Sequence, residues 1–256
     1  MLALSTMPAL LWAAPAPPAL GTIHLAHASQ EGYPFDQRPD FPAGDYLALQ
    51  CTGPTACALS KSKLTVKAAT INSYGGKAPG FVVADKDKSA SLFLIRGLAA
   101  LREGPVTTWY ANLNFQHAPF HTTDDSFSSK QILSVEVDKV ALEIIGKVGT
   151  VVEQACGADQ ECPTYPSVSW RFRFGGIERT LYSFKGNELG TPIGIDDFVV
   201  WIGDIDGDGK PDLVLRPQER SDYLELSLFL SSTLLPGKPW RPSAKFYYWD
   251  PANPGC

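Results

Sequence analysis

The chain has 256 residues, 44% of them hydrophobic, 19% charged and 11% aromatic, a balance that excludes a disordered chain, a coiled coil and a collagen. Its 22 Lys and Arg against 27 Asp and Glu give a net charge of −5, so the basic surface that nucleic-acid binding needs is missing. A globular protein of one large or two small domains is what remains at this length.

Residues 1–21, MLALSTMPALLWAAPAPPALG, read as a leader: none is charged, and Glu31 is the first charged residue of the chain. Pro8, Pro15, Pro17 and Pro18 cut the clean apolar run to Ala9–Ala14, far short of the roughly 20 residues that span a membrane. The expectation is a secretory signal peptide, cut at Ala19-Leu20-Gly21 or Ala26-His27-Ala28, and no transmembrane segment in the mature chain. The missing positive n-region suggests a true start upstream; a disordered Ala/Pro leader is the alternative. His24 and His27 then belong to a loose terminus.

From residue 22 to 256 the apolar pattern is mostly of period two, which predicts an all-β domain: an antiparallel sandwich or barrel-like sheets with short connections. The predicted strands are Tyr46–Gln50, Leu64–Ile71, Phe81–Ala84, Leu92–Arg96, Val106–Phe115, Ile132–Val137, Val140–Ile145, Phe198–Ile202, Asp212–Leu215, Leu224–Leu230 and Lys245–Trp249. The clearest hairpin is Trp170–Phe174, then Gly175-Gly176, then Ile177–Phe184: alternation, a two-residue glycine turn, and a second apolar run. Leu98–Glu103 is at most one helical turn, hemmed in by Gly97 and Gly104-Pro105. Gln116–Lys130, rich in Ser, Thr, Asp and His, is the best place for a long loop or a boundary between two subdomains. Twenty-one prolines and 22 glycines suit many tight connections better than the crossover helices of a parallel sheet.

Cysteine spacing points the same way as the leader. Cys51 and Cys57 bracket TGPTA, and Cys156 and Cys162 bracket GADQE, turn-forming segments able to bring each pair within disulfide reach. Two local disulfides are expected, with Cys256 left over, and such bonds persist in oxidising compartments. The location expected is therefore periplasmic or secreted.

One motif carries specific chemistry: Gly203-Asp204-Ile205-Asp206-Gly207-Asp208-Gly209-Lys210-Pro211-Asp212. Counting Asp204 as position 1, the side-chain oxygens of Asp204, Asp206, Asp208 and Asp212 fall at 1, 3, 5 and 9, and the Lys210 carbonyl falls at 7, the arrangement by which a tight loop surrounds Ca²⁺. Four carboxylates this close repel one another unless a cation sits among them. An EF-hand is excluded because position 12 is Leu215 rather than Glu, and both flanks are β-like rather than helical. The window resembles the calcium loops of FG-GAP or VCBS-type repeats, in which D-x-D-x-D-G-x-x-D joins two strands; the resemblance covers about twenty residues. It implies a calcium ion held by Asp204, Asp206, Asp208, Lys210 and Asp212. A propeller of such repeats is not expected, since only one full copy is present. The nearest echo, Phe81–Leu92 with Asp85 and Asp87, reads as a charged hairpin turn.

No nucleophile elbow or phosphate-binding glycine loop is present. The aromatics Trp240, Phe246, Tyr247, Tyr248 and Trp249 are expected in the core rather than on a sugar-binding surface. The function expected is that of an exported, non-catalytic β domain stabilised by calcium and binding a protein or envelope ligand. The alternative is a periplasmic metal-dependent hydrolase using His117, His121 and Asp124.

Overall fold

The computed structural model describes residues 21–25, 33–35, 44–73, 76–85, 91–115, 130–152, 165–184, 194–217 and 223–249. Short, β-branched and aromatic-rich runs punctuated by Gly, Pro and Asn form fifteen strands among the described residues: β1 Gly21–Leu25, β2 Tyr33–Phe35, β3 Gly44–Gly53, β4 Ala56–Ser73, β5 Gly76–Asp85, β6 Ser91–Arg96, β7 Gly104–Ala111, β8 Gln131–Val137, β9 Val140–Val152, β10 Tyr165–Phe174, β11 Ile177–Phe184, β12 Val199–Asp204, β13 Asp212–Leu215, β14 Tyr223–Phe229 and β15 Ala244–Trp249. Among the described residues a single four-residue helix, α1 Ile195–Phe198, leads into β12. The protein is all-β, and among the described residues no helix is long and apolar enough to cross a membrane.

Eleven strands form one sheet in the order β2-β5-β4-β3-β6-β1-β15-β14-β13-β12-β7, and a further pairing of β7 with β4 closes nine of them, β4 to β7, into a barrel. The sheet is not wholly antiparallel as expected, because β1 runs parallel to β15. Parity requires this: nine strands around a closed ring cannot alternate throughout, so one neighbouring pair must share a direction. Strands β11-β10-β9-β8 make a separate antiparallel sheet. This sheet comes from residues 131–184, between two passages of the chain through the barrel, so the ring is completed only when the chain returns at β12.

Two clusters of buried side chains follow from this arrangement. One is built by barrel strands and their connections, with Ile23, Leu49, Phe93, Trp201, Val214 and Leu228 among its members. The other joins the four-stranded sheet to the barrel: Leu142, Ile144, Trp170 and Phe172 on one side meet Phe198, Ile202, Leu213 and Phe229 on the other. Its centre is aromatic, with Trp170 stacked on Phe198 at 3.9 Å between centroids and Trp240 edge-on to Phe172 at 5.0 Å. Trp240 is buried as expected and donates its indole N–H to the Leu230 carbonyl.

Strands β12 and β13 lie between the two clusters, which explains their unbroken apolar runs: Val200 and Val214 face the first, whereas Val199, Ile202, Leu213 and Leu215 face the second. Phe198, read as the first strand residue, ends α1 instead. Leu98–Glu103 forms no helix; the Leu101 N–H reaches the Leu98 carbonyl and the chain turns. The run to Phe115 stops at Ala111, where the Asn112 side chain accepts the N–H groups of Asn114 and Phe115 and turns the backbone. The echo at Phe81–Leu92 is not a hairpin: β5 pairs with β4 and β2, and β6 pairs with β3 and β1.

The Cys51–Cys57 disulfide forms as expected, across directly paired residues of β3 and β4. The leader expected at 1–21 lies outside the described residues except for Gly21, which opens β1, and His24, expected in a loose terminus, is instead paired with Leu94 of β6 within that strand. Cys156, Cys162, Cys256 and most of Gln116–Lys130 lie outside them as well.

Candidate metal centre

The acidic loop leaves the barrel at the end of β12 and re-enters it at β13, so both of its ends are anchored in strands that are buried on both faces. The strand–loop–strand context expected from the sequence is therefore present, and EF-hand helices are not. Gly203, just before the loop, has no room for a side chain: a Cβ there would collide with the Thr107 carbonyl oxygen of β7 and with the Trp201 ring. Gly207 and Gly209 adopt φ of 76° and 78°, which a residue with a side chain reaches only at a cost.

Those two reversals curl the backbone N–H groups inward around Asp204. Its Oδ1 accepts the N–H of Gly207 at 2.8 Å and of Asp208 at 3.0 Å, and its Oδ2 accepts that of Gly209 at 2.9 Å. Asp208 Oδ1 accepts the Lys210 N–H at 2.9 Å. The loop is thus held from within by its own carboxylates, as Asp side chains in turns commonly do.

Asp204, Asp206 and Asp208 each present a carboxylate oxygen to a common space, all within 4.8 Å of one another. Asp204 and Asp206 are half-buried and Asp208 is exposed. An all-oxygen set of three carboxylates fits a hard cation far better than a thiophilic one. Among the described residues no ion pair with Lys210, whose side chain is exposed, relieves their mutual repulsion.

Asp212 is not part of that triad. It is fully buried, and its two oxygens accept separate backbone donors: Oδ2 takes the Ile205 N–H at 2.8 Å, and Oδ1 takes the Ser231 N–H at 2.7 Å. Burial pushes its carboxyl up to about 7, with the negative charge of Asp206 adding to the effect and the two N–H groups opposing it. Asp212 acts here as a joint between the loop and the segment after β14.

Ser231 and Ser232 belong to the site although nothing in the sequence drew attention to them. They open a single 3-10 turn, Ser231–Thr233, and place their hydroxyls over the loop. Ser231 Oγ donates toward Asp208 at 3.0 Å, and Ser232 Oγ toward Asp206 at 2.5 Å. They lie 23 and 26 residues from their partners, and a serine pair has no spacing rule that would announce it. His117, His121 and Asp124, the residues of the hydrolase alternative, lie outside the described residues. Compared with known protein families, curated proteins and solved structures, the chain matches none, and the reading of this loop rests on its own geometry.

Proposed function

We propose that this chain is an exported, non-catalytic β domain whose loop 204–212 holds a structural Ca²⁺, and which binds a protein or envelope ligand outside the cytoplasm. The observation that carries the ion is the convergence of the Asp204, Asp206 and Asp208 oxygens within 4.8 Å on a turn shaped by two left-handed glycines. The likeness of D-x-D-x-D-G-x-x-D to FG-GAP and VCBS-type loops supports calcium over other hard cations; of the two further ligands that the resemblance implies, the Lys210 carbonyl is retained, whereas Asp212 holds the loop to Ser231 from outside the triad. The Cys51–Cys57 disulfide supports an oxidising location.

An ion at this position neutralises the triad and ties the β12–β13 turn to Ser231 and Ser232 through the carboxylates they share. Its role is stabilisation: at a free concentration ~100 times Kd, the folded state gains ~2.7 kcal/mol by mass action. Chelator-treated protein titrated with calcium is expected to rise in Tm by several degrees, and Asp206→Ala is expected to lose that rise and bind calcium roughly tenfold or more weakly. A Tm indifferent to both chelator and calcium overturns the reading. Zinc, manganese or iron at stoichiometry in the purified protein, with no calcium, would favour the hydrolase instead.

A further inference from the structure

The segment between β14 and β15 meets the acidic loop at one end and the four-stranded sheet at the other. At its start, the Ser231 N–H donates to Asp212 Oδ1 at 2.7 Å, and the Ser231 hydroxyl lies 3.0 and 3.1 Å from the two Asp208 oxygens. The Ser232 hydroxyl holds Asp206 in the same way. These contacts join residues 19 to 26 apart in the chain, so they fix where the carboxylates of the loop sit relative to the end of β14.

At the other end is Trp240. Its indole N–H donates at 3.0 Å to the carbonyl of Leu230, the residue directly before Ser231, and the same carbonyl accepts the Thr233 hydroxyl at 2.7 Å and the Thr233 N–H at 3.1 Å. One peptide group thus ties the Ser231–Thr233 turn to the Trp240 ring. The ring is buried and lies edge-on to Phe172 of β10 and Phe229 of β14, at 5.0 and 5.6 Å between centroids. Phe172 belongs to the four-stranded sheet, so an unbroken set of contacts runs from Asp206 and Asp208, through the serines and the Leu230 carbonyl, to the face on which that sheet rests against the barrel. Hydrogen bonds to ionised groups are the stronger kind, and close-packed rings cannot slide without opening a void. A displacement of the turn at one end is therefore passed to the other rather than absorbed.

Resting on the calcium reading of the loop, we propose that the Ser231–Trp240 segment couples cation binding at Asp204, Asp206 and Asp208 to the docking of the four-stranded sheet on the barrel. Ser231 and Ser232 are positioning residues: their hydroxyls hold the carboxylates that would ligate the ion, and the turn they open holds Trp240 against Phe172. The coupling is reciprocal, so a change that loosens Trp240 weakens cation binding by the factor through which the cation steadies Trp240, about fivefold at the lower end of such couplings.

The test uses the full chain, stripped by chelator and titrated with calcium. By calorimetry, Trp240→Phe, which loses the indole N–H, is expected to bind calcium about fivefold more weakly than the natural chain. Trp170→Phe is the control: it disturbs the same aromatic interface at its stack on Phe198, and its calcium affinity is expected to stay unchanged. The unsubstituted chain supplies a second measurement, by NMR. On adding calcium, hydrogen exchange at the Trp240 indole N–H is expected to slow about fivefold more than at that of Trp201, which donates to Thr108. A chain that binds no calcium overturns the reading of the loop and the coupling with it. If calcium binds but the two variants have equal affinity, or the two indole N–H groups slow alike, the coupling alone is overturned.

Discussion

Asp212 shows how one side chain can serve both a loop's shape and its response to pH. Its carboxyl is fully buried, accepts the Ile205 and Ser231 N–H groups, and is pushed up to about 7 from an ordinary 3.8. A carboxyl that holds its proton more tightly when folded favours the folded state at low pH. That contribution is full below about 4 and is lost as pH rises through about 7. In chelator, the Tm of the natural chain relative to Asp212→Asn is therefore expected to be highest near pH 4, to fall toward pH 8 and then to level. Thermal melts of the two proteins across that range check this, and a difference independent of pH contradicts it. The carboxylates of the motif were legible as a group from their spacing. That three of them converge while the fourth turns to Ser231 follows from a contact 19 residues away, which no local pattern encodes.

Among the elements, β4 carries the closure of the barrel. Its first residues pair on both sides at once, with Cys57 opposite Cys51 of β3 and opposite Val106 of β7. The disulfide thus pins the β3–β4 turn at the seam where β7 completes the ring, and both cysteines are nearly buried. For a closed loop of this size the chain-entropy account gives a stabilisation of about 2 kcal/mol. A Cys51→Ala/Cys57→Ala chain is expected to lose about that much by denaturant melting, and hydrogen exchange is expected to speed up first at residues 56–59 and 104–107. Uniform acceleration across the barrel would contradict a role at the seam. β8 and the β10–β11 hairpin were plain from alternation and turn residues, and β6 from an unbroken apolar run. β1 and β2 were not predicted, because GTIHL sits beside an apolar leader and YPF is three residues long.

At the scale of the molecule, the four-stranded sheet and the barrel share a polar contact set in their aromatic interface. Glu225 of β14, only 1% exposed, meets Lys245 Nζ of β15 at 3.0 Å, Ser227 Oγ at 2.8 Å and the Tyr182 hydroxyl of β11 at 3.3 Å. Removing the cation leaves a buried carboxylate uncompensated, so Lys245→Met is expected to cost about 3–5 kcal/mol, whereas Lys245→Met with Glu225→Leu is expected to restore most of the loss. Urea melts of the single and double variants check this, and additive losses would show that the pair is not coupled.

The sequence by itself determined that this protein is β-rich, roughly where most strands lie, which two cysteines of β3 and β4 pair, and which loop gathers carboxylates between strands. These are local properties, set by side-chain alternation, turn chemistry and spacing over a few residues. Only the tertiary structure decided that nine strands close with one parallel pair, that β12 and β13 are covered on both faces, and that two serines far along the chain sit over the acidic turn. Each of these depends on which distant strand lies alongside another, and that choice is made by the total apolar surface buried rather than by any single segment.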